Sequence, residues 1–165
     1  MNDVAVEAGV TKPVLYQHFA SKRELYQAVL VDVGDRLRTN VIKAAAEART
    51  PREQVATGFG AYVDFVVEDP DGFRLLFTGA SREDEEWAAI AAEVEQSVAE
   101  SIAALIAVEG MSEVHRQALA HGVVGLAEGM VRYWQRDKLP GLDRDDLARD
   151  LIRLAWGGLR NLDAS

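Results

Sequence analysis

Two four-residue signatures, Ser21-Lys22-Arg23-Glu24 and Thr50-Pro51-Arg52-Glu53, do most to restrict what this chain can fold into. In each, a hydroxyl can accept from an orphan backbone amide while the glutamate three residues on reaches back to the cap, so each starts a helix. Pro51 adds a fixed φ suited to the first helical position. Behind the first signature Leu25, Val29, Val33 and Leu37 recur at near-helical spacing, to about Arg49. Behind the second, Val55, Phe59, Tyr62 and Val66 form the stripe. Asp69-Pro70 ends that helix and starts a short one through Phe73, Leu76 and Phe77, stopped at Gly79. Ser81 to Asp84 cap a helix striped by Trp87, Ile90, Val94, Val98, Ile102 and Leu105, running to Gly110. Ser112 opens the next, to about Asp137; Pro140-Gly141 breaks it. Asp143 to Asp146 start the last, with Leu147, Leu151, Leu154 and Leu162. No segment alternates with period two, so the expected fold class is all-α. The acidic run Glu83-Asp84-Glu85-Glu86 falls in a first helical turn, where carboxylates favour the positive dipole end, and is read as helix stabilisation rather than as a metal site.

Composition narrows the function. Over 165 residues, 18 Lys and Arg face 27 Asp and Glu, a net charge of −9, which argues against a surface that binds nucleic acid throughout. The charge is unevenly placed. Residues 1–43 hold six basic and five acidic side chains, a net of +1, whereas residues 44–165 hold 12 and 22, a net of −10. Zero cysteines exclude a disulfide framework, a thiolate metal site and a cysteine nucleophile, and fit a reducing compartment. Only 48% of residues are apolar, no uninterrupted apolar run reaches about 18 residues, and the N-terminus lacks a basic and apolar leader. A cytoplasmic protein without a membrane span is expected.

The most informative stretch is residues 2–22, NDVAVEAGVTKPVLYQHFASK. Val4, Ala5 and Ala8 give a short helix a small inner face; Gly9 permits a left-handed turn; Thr11 can cap a second helix whose inward residues are Leu15 and Phe19. This pattern is a helix-turn-helix, which projects its second helix into a major groove. The run AxxAGVTKPVLYQHFxSKxxL resembles the second half of the DNA-binding domain of the tetracycline-repressor (TetR) family, with residue-level likeness from about Val4 to Val29. The family has a further helix ahead of this motif, and the chain begins inside the second helix, so a missing N-terminal segment is expected.

The resemblance implies that the helix capped by Thr11 enters the groove and that Lys12, Pro13, Val14, Tyr16, Gln17 and His18 face DNA. Their chemistry divides the work. Lys12 can meet a phosphate or a guanine edge, Gln17 can read adenine bidentately, and Val14 can touch a thymine methyl. Tyr16 and His18 suit phosphates, and Lys22 adds charge where helix amides already favour an anion. For Tyr16 and His18, packing or local capping is the competing reading.

The remaining helices match the family in number, length and order, giving the expected division into a DNA-binding part with connecting helix, 1–43, and an effector-binding and dimerisation part, 44–165. Eight of 13 glycines fall inside expected helices, each costing about 1 kcal/mol relative to alanine, which close helix approach can offset. The family dimerises through its last two long helices. On the matching pair, Gly122, Gly125, Gly129, Leu151, Leu154, Gly158 and Leu162 are candidates for the interface, with intrachain packing as the alternative. An effector pocket among the middle helices would draw on Phe59, Tyr62, Phe65, Phe73, Phe77, Trp87 and Trp134, with His121 and Glu128 as polar residues on one helix face. The aromatics can equally be core, and the polar pair can bond across a dimer. An aromatic, uncharged pocket suits a lipophilic effector.

Nothing points to catalysis or a cofactor. His18, His115 and His121 are the only histidines, and there is no His-Glu-x-x-His, phosphate-cradling glycine loop or GxSxG elbow. The expected function is a ligand-responsive transcriptional repressor that binds a pseudo-palindromic operator as a homodimer and is released by a small molecule. The alternative is a helical ligand-binding or interaction module without operator recognition.

Overall fold

In the computed structural model, which describes residues 1–77, 85–137 and 141–160, both capping boxes close. Ser21 Oγ accepts from Glu24 N at 3.1 Å and Thr50 Oγ1 from Glu53 N at 3.1 Å. The glutamates reach back one residue further than expected, Glu24 accepting from Ala20 N at 2.6 Å and Glu53 from Arg49 N at 2.9 Å. Asp143 Oδ1 accepts from Asp146 N at 2.8 Å and opens the last helix in the same way. Capping of this kind contributes about 1 kcal/mol per helix end.

Eight helices follow among the described residues: α1 Asn2–Glu7, α2 Lys12–His18, α3 Lys22–Ala46, α4 Pro51–Glu68, α5 Pro70–Phe77, α6 Glu85–Ala103, α7 Glu113–Asp137 and α8 Arg144–Leu159. No strand occurs among them. The chain is all-α. Gly79, Ser81 to Asp84, Pro140 and Leu162, singled out in the sequence, lie outside the described residues.

One core joins α3 to α8. Leu30, Val33 and Leu37 of α3 meet Val63 and Val66 of α4, Phe73 and Leu76 of α5, Ile90 of α6, Val131 of α7, and Leu147 and Leu151 of α8. Burying each large apolar side chain contributes about 1.5–3 kcal/mol. Position 43 lies inside α3, which packs along its length against α4, α5 and α6. Outside this core, α1 and α2 pack on each other and bury Ala5 and Leu15.

The long helix striped by Trp87 to Ile102 stops at Ala103, short of the expected Gly110. Leu105 N and Ile106 N bond back three residues, to Ile102 and Ala103, which tightens the backbone and turns it away. Leu105 thereby leaves the stripe, and with Ile106 and Val108 it forms one wall of a cavity.

Candidate nucleic-acid interface and effector cavity

The turn between α1 and α2 is made by Gly9, whose φ of +67° is left-handed and favours a residue without Cβ. Val10 N bonds back to Ala5 O at 3.0 Å and closes it. Thr11 stands at the N-cap of α2 in an extended conformation, but its side chain accepts no capping bond, unlike Ser21 and Thr50. Pro13 occupies the first turn, where its missing N–H costs nothing. From there the 3.6-residue period sorts the helix. Leu15 faces inward, while Thr11, Lys12, Pro13, Val14, Tyr16, Gln17 and His18 are all exposed, as is Lys22 at the start of α3. The Lys12 ammonium lies 5.8 Å from the Tyr16 ring centroid, a cation–π contact that sets the two side by side. The expected inner face of α1 shrinks to Ala5: Val4 is 43% exposed and Ala8 is exposed. Phe19, half-buried, caps the C-terminus of α2.

The cavity, of about 430 Å³, lies among the C-terminal half of α3, the N-terminal half of α4, the end of α6 and its following turn, and the middle of α7, closed by the end of α8. Leu37, Val41, Val55, Val98, Ile102 and Val123 make it aliphatic. Of the expected aromatic wall, Phe59, Tyr62 and Phe77 line it. The others go elsewhere. Phe73 is fully buried against Phe77, ring centroids 4.9 Å apart, and Phe65 is core beneath Arg36, whose guanidinium is 5.8 Å from the ring. Trp87 meets Tyr26 edge-on at 4.3 Å, and Trp134 Nε1 donates to Leu142 O at 2.9 Å, so each amphipathic ring has found its own partner.

His121 and Glu128 do not converge either. His121 is exposed and shares a hydrogen bond with Gln96 Oε1 of α6 at 2.9 Å. Glu128 is buried and pairs with Arg132 Nη1 at 3.1 Å, one turn on. Spacing kept the two on one side of α7, but they meet different neighbours. Burial, together with the charge of Glu128 and against that of Arg132, pushes the Tyr62 hydroxyl well above the ordinary phenol range, and its oxygen is buried without a hydrogen-bond partner.

On the side of α7 and α8 away from the cavity lining, Gly122, Gly125, Gly129 and Gly158 are exposed, and a Cβ built on any of them would meet nothing within 4 Å among the described residues. Leu154 is 58% exposed on the same pair of helices. Leu151, expected beside it, is fully buried: with Leu147 and Ala155 it forms the inner stripe of α8, and Leu154 falls outside that stripe. Sequence reasoning missed the aliphatic cavity wall and Trp156, Leu159 and Arg160, because a leucine or valine on a helical stripe carries no mark separating core from cavity.

Among the described residues no three His, Asp or Glu side chains stand together to hold a metal ion, and no helix is long and apolar enough to cross a membrane. Two family models match: "Tetracyclin repressor-like, C-terminal domain" over residues 51–158 and "Bacterial regulatory proteins, tetR family" over residues 1–29. The chain belongs to the TetR family. Among the relatives of this TetR-family chain is the HTH-type transcriptional activator FasR of Mycolicibacterium smegmatis, 34% identical over 98% of this chain and 74% of that protein. The fold is shared with a putative TetR-family regulator from Rhodococcus sp. (TM-score 0.74, 22% identity, 93% of this chain and 83% of that one). It is also shared with the TetR-family regulator PfmR of Thermus thermophilus (TM-score 0.69, 19% identity, 98% and 88%). The TetR-family chain is a DNA-binding transcriptional regulator and not an enzyme.

Proposed function

We propose that this regulator binds a pseudo-palindromic operator as a homodimer through α2 and releases it when a small molecule with an apolar body fills the cavity. The observation that carries this reading is the reach of α3: it is capped by Ser21 directly after the recognition helix, and its Leu37 and Val41 line the cavity. A ligand that spreads the cavity wall therefore acts on the helix that aims α2. A coupling of about 1–3 kcal/mol changes operator occupancy severalfold.

The uncovered glycines of α7 and α8 support a dimer, since their helix-propensity cost is not offset by close packing inside the chain. We divide the labour at about residue 43: the part before it reads DNA, and the body after it, with its net −10, is repelled by the duplex and limits non-specific binding. Direction follows from where the operator lies. An operator overlapping the promoter gives the expected repression, and one upstream gives activation, the direction in the name of FasR.

Selection of binding sites from random duplexes tests the reading. It should enrich a palindrome whose half-sites lie about one helical turn, roughly 34–36 Å, apart. No enriched palindrome at moderate salt would overturn it.

A further inference from the structure

We propose that the effector is an anionic amphiphile, with its apolar body inside the cavity and a carboxylate or phosphate head at the rim, bound by Arg160. The inference rests on the cavity being the effector site. Among the described residues Arg160 is the single charged side chain lining the cavity, and it is exposed. It follows Trp156 by one turn at the end of α8, so an aromatic wall residue and the cation stand on one face.

The first turn of α4 also reaches the cavity, with Pro51 and Gln54. It brings a side-chain amide that can donate to an anion. Glu53, the acidic residue of that turn, accepts from Arg49 N and does not line the cavity. The interior offers a charge nothing. Apart from Gln54, Tyr62 and Arg160 the lining is aliphatic or aromatic, and the Tyr62 oxygen is itself buried out of reach. An unpaired charge placed inside would lose its hydration without compensation, so the head must stay at the rim. A neutral molecule would leave Arg160 unused, and a cationic one would be repelled by it.

Calorimetric titration of the full chain with decanoate, decyl phosphate, decanol and decyltrimethylammonium tests this, alongside Arg160→Gln and Arg160→Glu. The two anions should bind about tenfold more tightly than decanol, as a charge-assisted hydrogen bond predicts. In Arg160→Gln that advantage should vanish while decanol binding is unchanged. In Arg160→Glu the ammonium compound should become the preferred ligand. The tighter anion names the head group. An anionic preference that survives Arg160→Gln would overturn the proposal, as would decanol binding as tightly as the anions. In that second case Ile102→Trp, which fills the cavity, separates two failures. Loss of all binding with helix content intact leaves the effector cavity standing and removes Arg160 from it. Binding unaffected by Ile102→Trp, or no binding of any amphiphile to the parent chain, overturns the cavity reading as well.

Discussion

Val94 of α6 fills the space that a side chain on Gly34 of α3 would need: a Cβ at Gly34 would lie 2.1 Å from Val94 Cγ1. Glycine here sets the separation of two helices whose next turns, at Leu37 and Val98, line the cavity. Valine is stiff at χ1 in a helix, so relieving the clash takes a disfavoured rotamer or a shift of backbone. Gly34→Ala should therefore destabilise the fold by about 1–3 kcal/mol, the usual range for overpacking. Val94→Ala in that background should recover part of the loss. Urea unfolding of the single and double variants measures both, and a Gly34→Ala protein as stable as the parent would refute the notch.

Acid unfolding should report on Asp69. Burial pushes its carboxyl up, but the Gly72 amide donating to Oδ1 at 2.8 Å and the Arg36 guanidinium at 2.7 Å outweigh this and hold it below its ordinary value. A group whose folded pKa is depressed contributes stability that is fully present above its unfolded value, about 3.9, and is lost as pH falls through the folded one. Asp69→Asn keeps the shape but not the charge. The stability gap between parent and variant should be constant above about pH 5 and close as pH drops below about 4. A gap that does not change with pH would show that Arg36 and Gly72 are not holding the carboxylate.

Features set by neighbours in sequence were legible in it. Ser21, Thr50 and Asp143 act within four residues of themselves, so the caps, and with them the helix order, could be read from local spacing. The turn at Gly9 is local as well. The cavity is not. Its position depends on α6 ending at Ala103, which takes Leu105 out of the stripe, and on which of seven aromatics are partnered elsewhere. Trp134 is held by a carbonyl eight residues away and Trp87 by a ring on another helix. Leu151 and Leu154, three apart and chemically identical, divide into core and surface only once α7 and α4 are packed on α8.

Within the recognition helix, base reading and phosphate binding should separate. Gln17 is exposed on α2 with an amide that can pair bidentately, whereas Lys22 stands at the start of α3. Gln17→Ala should relax specificity at one base pair of the selected operator, losing about 1–3 kcal/mol of discrimination there. Lys22→Ala should weaken every sequence alike and lower the salt slope by about one. Fluorescence anisotropy at several salt concentrations distinguishes them, and identical behaviour of the two variants would refute the division.

The open face of α7 yields the sharpest test of assembly. A Cβ at Gly125 would touch no atom of the described chain, so a side chain there starts in open space, and replacing a mid-helix glycine gains up to about 1 kcal/mol of propensity. If the glycine is retained for close approach of a second copy, Gly125→Leu should keep the helix content and thermal stability of the protomer while weakening self-association at least about tenfold, some 1.4 kcal/mol. Gly60→Leu is the control, since a Cβ there likewise meets nothing within 4 Å but Gly60 lies on α4. It should leave association unchanged. Sedimentation velocity over a concentration series reads both. A Gly125→Leu protein that remains as dimeric as the parent would move the interface off this face, and an equal loss in both variants would trace it to a general effect of added bulk.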